Sequence, residues 1–175
     1  MALQLVFVVE TNSKCKSDWI YIKDTIEQFY LYEPTQTKFT PVYMDGKGKY
    51  KKKERDIKSL ISQFEHSNKE NQTYVIFCFD CDDYDVNQAD SEFLKNAKEY
   101  CDKNGYDFVW FCKDIEQVYL NRKVTDKEKK DVSVSFKEKK LIVNVDSGKL
   151  SGNAYRNNTS NIMRVLDKYL RRKDK

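Results

Sequence analysis

The segment VIFCFDCDDYD, Val75 to Asp85, runs from an apolar stretch directly into clustered acid. Carboxylates gathered at the end of a buried strand repel one another unless a proton or a cation arrives, and oxygen donors suit a hard ion such as magnesium. Residues two apart in an extended chain share a side, so Asp80 and Asp82 are expected to project together while Cys81 turns back toward the protein. Glu10 closes an earlier apolar run, LQLVFVV, and faces that pair if the two strands are neighbours. Three carboxylates converging at one rim would then hold a metal. A fourth, Glu116, follows the run FVWFC after a short connection.

The elements that must position these groups alternate between two periods. Leu3–Val9 and Thr73–Phe79 are nearly continuous apolar runs of strand length, as expected for strands covered on both faces, and Phe108–Cys112 is a further one. Phe39–Met44 contains Pro41, which suits an edge strand. Trp19, Ile22, Ile26 and Phe29 recur at helical spacing, predicting a helix capped by Ser17 or Asp18 and ended before Pro34. Further helices are expected around Ile57–Phe64, over Asp90–Lys103 with Gly105 as its left-handed terminus, over Asp114–Leu120, and over Asn161–Arg171. Asp45–Lys53 reads as a glycine and lysine loop. The alternation VSVSF and the run LIVNV could form a hairpin within Val132–Val145. Strands alternating with helices predict a single α/β domain over residues 1–175: a Rossmann-like three-layer fold around a mainly parallel four-stranded sheet, with ligands at the carboxyl ends of the strands.

Composition narrows the function classes. A chain of 175 residues can bury a sizeable core without disulfides, and five cysteines at irregular spacing read as reduced thiols. Cys78 and Cys81 form a CxxC, but within a strand they point to opposite faces, which fits neither a zinc knuckle nor a redox pair. The single histidine, His66, lies in a polar run with no nucleophile beside it, which argues against Ser/His or Cys/His catalysis. Leu5–Val9 is too short to cross a bilayer and has no basic stretch before it, so a cytoplasmic protein is expected. The net charge of +4 conceals segregation: KGKYKKKER is almost wholly basic, and Asp80–Leu94 carries six acids without a Lys or Arg. An acidic pocket flanked by basic surface is what a phosphodiester substrate and a metal together need. Tyr30, Tyr32 and Tyr119, read as exposed, would permit a self-association face.

Glu at the end of strand one and Asp-x-Asp at the end of strand three resemble the Toprim domain of topoisomerases, primases, overcoming-lysogenization-defect nucleases and ribosomal RNA maturases. The RloB family is the nearer resemblance. It is carried by VVETNSKCKSDWIYI, MDGKGK, FDCDD, FCKDIEQVYL and GNAYRNNTSNIMRVL, which together span nearly the whole chain. The chain departs from that pattern at Thr11, where the family usually has Gly, in lacking a Glu within Asn12–Asp18, and at Val118 and Leu120. The resemblance implies a Toprim-like fold and metal-dependent hydrolysis of nucleic-acid phosphodiesters. Asp80, Asp82 and Glu10 would bind magnesium or manganese, Glu10 would also serve as general acid or base, and Glu116 would complete a second metal position. Lys14, Lys47, Lys49, Lys51, Lys52 and Lys53 would grip the backbone of DNA or RNA. Kinship further implies phage defence or a role beside restriction systems on mobile elements, with or without a partner ATPase. The rival reading is a non-catalytic Toprim-like module that binds nucleic acid or protein through its basic loops, and the altered first loop favours it. A receiver-like domain fits poorly, because it would pair acids after strand one.

Overall fold

The computed structural model describes residues 1–174. Five strands form one sheet in the order β3-β1-β4-β5-β6, from β1 (Leu3–Val9), β3 (Thr37–Tyr43), β4 (Gln72–Asp80), β5 (Asp107–Cys112) and β6 (Thr159–Ser160). The first four are parallel and β6 is antiparallel to β5, so the sheet has one strand more than the four expected. The extra strand is two residues long and carries no apolar alternation to betray it. It is held by Asn161, whose side chain accepts from the Trp110 N–H and donates to the Phe108 carbonyl, both at 2.9 Å.

Alternation along β1 splits the core in two. Leu5, Phe7 and Val9 join Ile76, Val109 and Phe111 under α1 (Ser17–Phe29), while Val6 and Val8 join Phe77, Phe79 and Trp110 under α2 (Glu54–Ser67) and α3 (Gln88–Asn104). Each fully buried Leu, Val or Phe contributes on the order of 1.5–3 kcal/mol, so the sheet is fixed from both sides. Gln4 is the one polar residue buried in β1; it donates to Thr40 Oγ1 at 2.9 Å and accepts from Thr73 Oγ1 at 3.4 Å, lacing the flanking strands together. Cys78 belongs to the first core and Cys81 to the second, on opposite faces as their spacing requires.

Because β1 leaves into α1 on one face and β4 leaves into α3 on the other, the switch point of the sheet lies between β1 and β4. This is where open α/β sheets form their ligand crevice.

Several boundaries differ from the sequence reading. Val132–Val145 is no hairpin: it forms α5 (Lys129–Glu138) and a 3-10 helix over Leu141–Asn144. Ser133 and Phe136, three apart, are the buried pair of α5, while Val134 is exposed, so a helical period overrides the VSVSF alternation. The helix expected over Asn161–Arg171 is α6 (Ile162–Leu166), after which Arg171–Arg172 (β7) pairs with Tyr30–Leu31 (β2). The Asp45–Lys53 loop contains a 3-10 helix, Lys47–Lys53, anchored by buried Tyr50. Tyr30 and Tyr119 are buried, so they offer no association face. The cap of α1 is Lys16, without a side-chain hydrogen bond; Asp18 is engaged elsewhere. Asn87 caps α3, and Gly105 ends it at φ 69 as expected. Among the described residues no helix is long and apolar enough to cross a membrane.

Candidate functional site

The carboxyl ends of β1 and β4 bring Glu10 and Asp80 together: Glu10 Oε1 accepts the Asp80 N–H at 2.8 Å across seventy residues of sequence. Asp80 ends β4 with Phe79 in the second core, so its own side chain turns to the first face. There Oδ1 accepts the Ile115 N–H at 2.9 Å, at the start of α4 (Ile115–Leu120). Asp18, from the first turn of α1, accepts the Thr11 N–H at 3.1 Å and so ties down the loop that follows Glu10.

Glu116, also on α4, is buried with neither carboxylate oxygen hydrogen-bonded, and its nearest cation is Lys129 Nζ of α5 at 3.7 Å. Thr11 Oγ1 and the Tyr21 hydroxyl are likewise buried without a partner.

Electrostatics follow from this crowding. Burial, with Asp18 and Asp82 adding repulsion, pushes Glu10 up to about 8 despite the Asp80 amide and Lys47. Burial, then Glu10, Asp18 and Glu116, pushes Asp80 well above the carboxylate range. Burial also raises Asp18, against the Thr11 amide, and raises Glu116 to about 7, where Lys129 opposes it and Asp18 adds to it. For Lys129, burial alone would favour the neutral amine, but Glu116, Asp80 and Asp18 outweigh it and hold the ammonium charged. The inner rim is therefore a set of four carboxylates served by one half-buried ammonium, and the shortfall of positive charge favours the protonated acids.

Asp82 does not join that set. The strand ends at Asp80; Cys81 N–H bonds the Phe111 carbonyl, and Asp82 takes a left-handed φ of 49, which breaks the alternation that would have aligned Asp80 with Asp82. Asp82 instead lies toward the second face, paired with Lys47 from the 3-10 helix, and Lys47 Nζ also reaches Asp90 Oδ1 of α3 at 3.0 Å and sits 4.9 Å over the Phe93 ring. The other basic candidates spread outward. Lys49 pairs with Asp45 at 2.7 Å, Lys53 lies 3.8 Å from Asp56, Lys51 lies over the Tyr50 ring, and Lys14 and Lys52 are exposed.

Two groups central to this arrangement escaped the sequence reading. In the sequence Asp18 reads, with Ser17, only as a candidate helix cap, and Lys129 sits in a lysine-rich stretch where nothing distinguishes it from its neighbours. As for a metal, the donors are all oxygen and the orphaned Glu116 oxygens want a partner, which fits a hard cation. Against this, no group of three or more His, Cys, Asp or Glu side chains among the described residues is drawn together tightly enough to hold one, and Lys47 engages Asp82. Comparison of the chain with protein-family models, curated proteins and solved structures returned no match.

Proposed function

We propose that this rim is a divalent-metal site for hydrolysis of nucleic-acid phosphodiesters, in a Toprim-like domain resembling the RloB family. The observation that carries the reading is the meeting of Glu10 and Asp80 at the switch point of the sheet, in surroundings that leave more carboxylates than cations. Glu10, Asp80 and Asp82 would hold the metal, with Glu116 available to a second one. When bound, magnesium or manganese would neutralise phosphate charge and lower the pKa of a coordinated water.

The chain's own residues supply the rest. Glu10, pushed up to about 8, can hold or release a proton near neutral pH, as a general acid or base must. The Asp80 carboxylate is oriented by the Ile115 amide. A divalent ion bound by Asp82 would free Lys47, which with Lys14, Lys49, Lys51, Lys52 and Lys53 would then grip the phosphate backbone without reading its sequence. A place in phage defence beside a partner ATPase rests on the resemblance alone.

The Lys47–Asp82–Asp90 cluster favours a second reading, in which lysines serve as permanent counter-ions and the domain is a non-catalytic module that binds nucleic acid through its basic loops. Calorimetry with magnesium and manganese decides between them, comparing the unmodified protein with Asp80→Ala/Asp82→Ala. Saturable binding lost in the double variant, together with metal-dependent cleavage of DNA or RNA, supports the enzyme. An identical response from both proteins removes the metal site.

A further inference from the structure

A cavity of about 800 Å³ opens next to the acidic rim on the β3 side. It shares its scaffold with the rim. One wall is the loop Asn12–Lys14, separated from Glu10 by Thr11 alone, and another is the segment Pro41–Tyr43 of the edge strand β3, whose Tyr43 is paired in register with Val9. The Gly46 N–H donates to the Glu10 carbonyl at 2.9 Å, fixing the turn that carries Asp45 into the same cavity. The far side is α2, through Leu60.

We propose that this cavity is a subsite for one nucleotide unit of the substrate, with its phosphate directed toward the rim. The assignment rests on the phosphodiester reading above for the class of ligand and on the cavity itself for the place. Its volume falls in the range of small-molecule sites. Tyr43 and Leu60, both partly exposed, give an aromatic and aliphatic surface of the kind on which bases stack. Lys14, which makes no ion pair among the described residues, and Lys53, only loosely paired with Asp56, bring two ammonium groups suited to a phosphate. Asp45 and Asp56 nearly cancel that charge, so the cavity is no simple phosphate trap. Acceptors beside a stacking surface call for a ligand that also carries sugar hydroxyls or base amino groups.

The test is a titration with adenosine 5′-monophosphate in the presence of chelator, with inorganic phosphate and adenosine as separate arms. The unmodified protein is compared with Ser59→Trp, which would fill the cavity from an exposed position of α2, and with Lys14→Glu. The expected result is saturable binding of the nucleotide, tighter than either fragment, weakened at least about tenfold by each variant. Nucleotide binding no tighter than that of inorganic phosphate, or unchanged in both variants, overturns the subsite. A cleavage assay separates the two readings. Nucleotide binding with the expected variant pattern but no cleavage keeps the subsite and defeats the catalytic reading, whereas cleavage whose KM is indifferent to Ser59→Trp does the reverse.

Discussion

Two acidic clusters lie a few residues apart at the same end of the sheet and behave as different chemical objects. The inner one is Glu10, Asp18 and Asp80, each accepting a backbone amide, and the buried Glu116, with the half-buried Lys129 as its cation. The outer one, Asp82 and Asp90, is clasped by Lys47 while the Asp82 side chain remains 43% exposed. Water decides the contrast. Removing charges from solvent costs several kcal/mol each, so the inner acids are driven toward protonation, while an exposed pair gains or loses roughly 1 kcal/mol at most. In the proposed metal site the inner set would supply charge that is incompletely offset, and Asp82 an outer ligand that is cheaply released.

The comparison can be broken in four ways. The largest effect is expected from Asp80→Asn, which keeps an oxygen for the Ile115 N–H but removes charge from the centre of the inner set. On the proposed reading, metal-dependent cleavage should fall at least about 100-fold, equivalent to roughly 2.7 kcal/mol of barrier, while thermal stability holds or rises. Cleavage rate and thermal midpoint measured on one preparation check both halves.

Next, Lys129→Met strands Glu116 and its neighbours without their cation. It should destabilise the fold by roughly 2–4 kcal/mol at pH 8, read from denaturant midpoints, and by much less at pH 5.5, where the carboxylates carry protons. An equal cost at both pH values would show that Lys129 acts through packing alone.

A third test uses pH on the unmodified protein. Glu10 and Glu116 have folded-state values of about 8 and about 7, above the ordinary 4.5, so their contribution to stability is fully present below pH 4.5 and is lost as pH rises through 7 to 8. In chelator the thermal midpoint should drop by about 5 °C or more between pH 5.5 and 8.5, and magnesium should recover much of the loss at the higher pH. A flat profile would contradict the inner set as described.

The smallest effect belongs to Lys47→Met. Stability should change by less than about 1 kcal/mol, magnesium affinity should rise because Asp82 is freed, and the salt dependence of nucleic-acid binding should lose roughly one unit of slope. Calorimetry and a salt series of binding isotherms measure these.

What could be read from the chain and what could not divides along the same line. The runs LQLVFVV, TYVIFCF and FVWFC betray β1, β4 and β5 because strands buried on both faces must be apolar throughout, and Pro41 marks β3 as an edge. Glu10 directly follows β1 and Asp80 ends β4, positions legible in the sequence because they follow from where the apolar runs stop. The strand β6 and the helix α5 are not legible in the sequence, since one is two residues long and the other has an alternation that mimics a strand.

The sequence by itself determined the doubly wound α/β class, the central strands and the presence of carboxylates at their ends, because hydrophobic period and charge position are local properties of the chain. Only the tertiary structure decided which carboxylates meet. A left-handed residue at Asp82 sends that side chain to Lys47, and the packing of α1, α4 and α5 delivers Asp18, Glu116 and Lys129 to Asp80. Partnership and burial, which set the charge of each acid, arise from contacts between residues tens of positions apart and have no trace in local pattern.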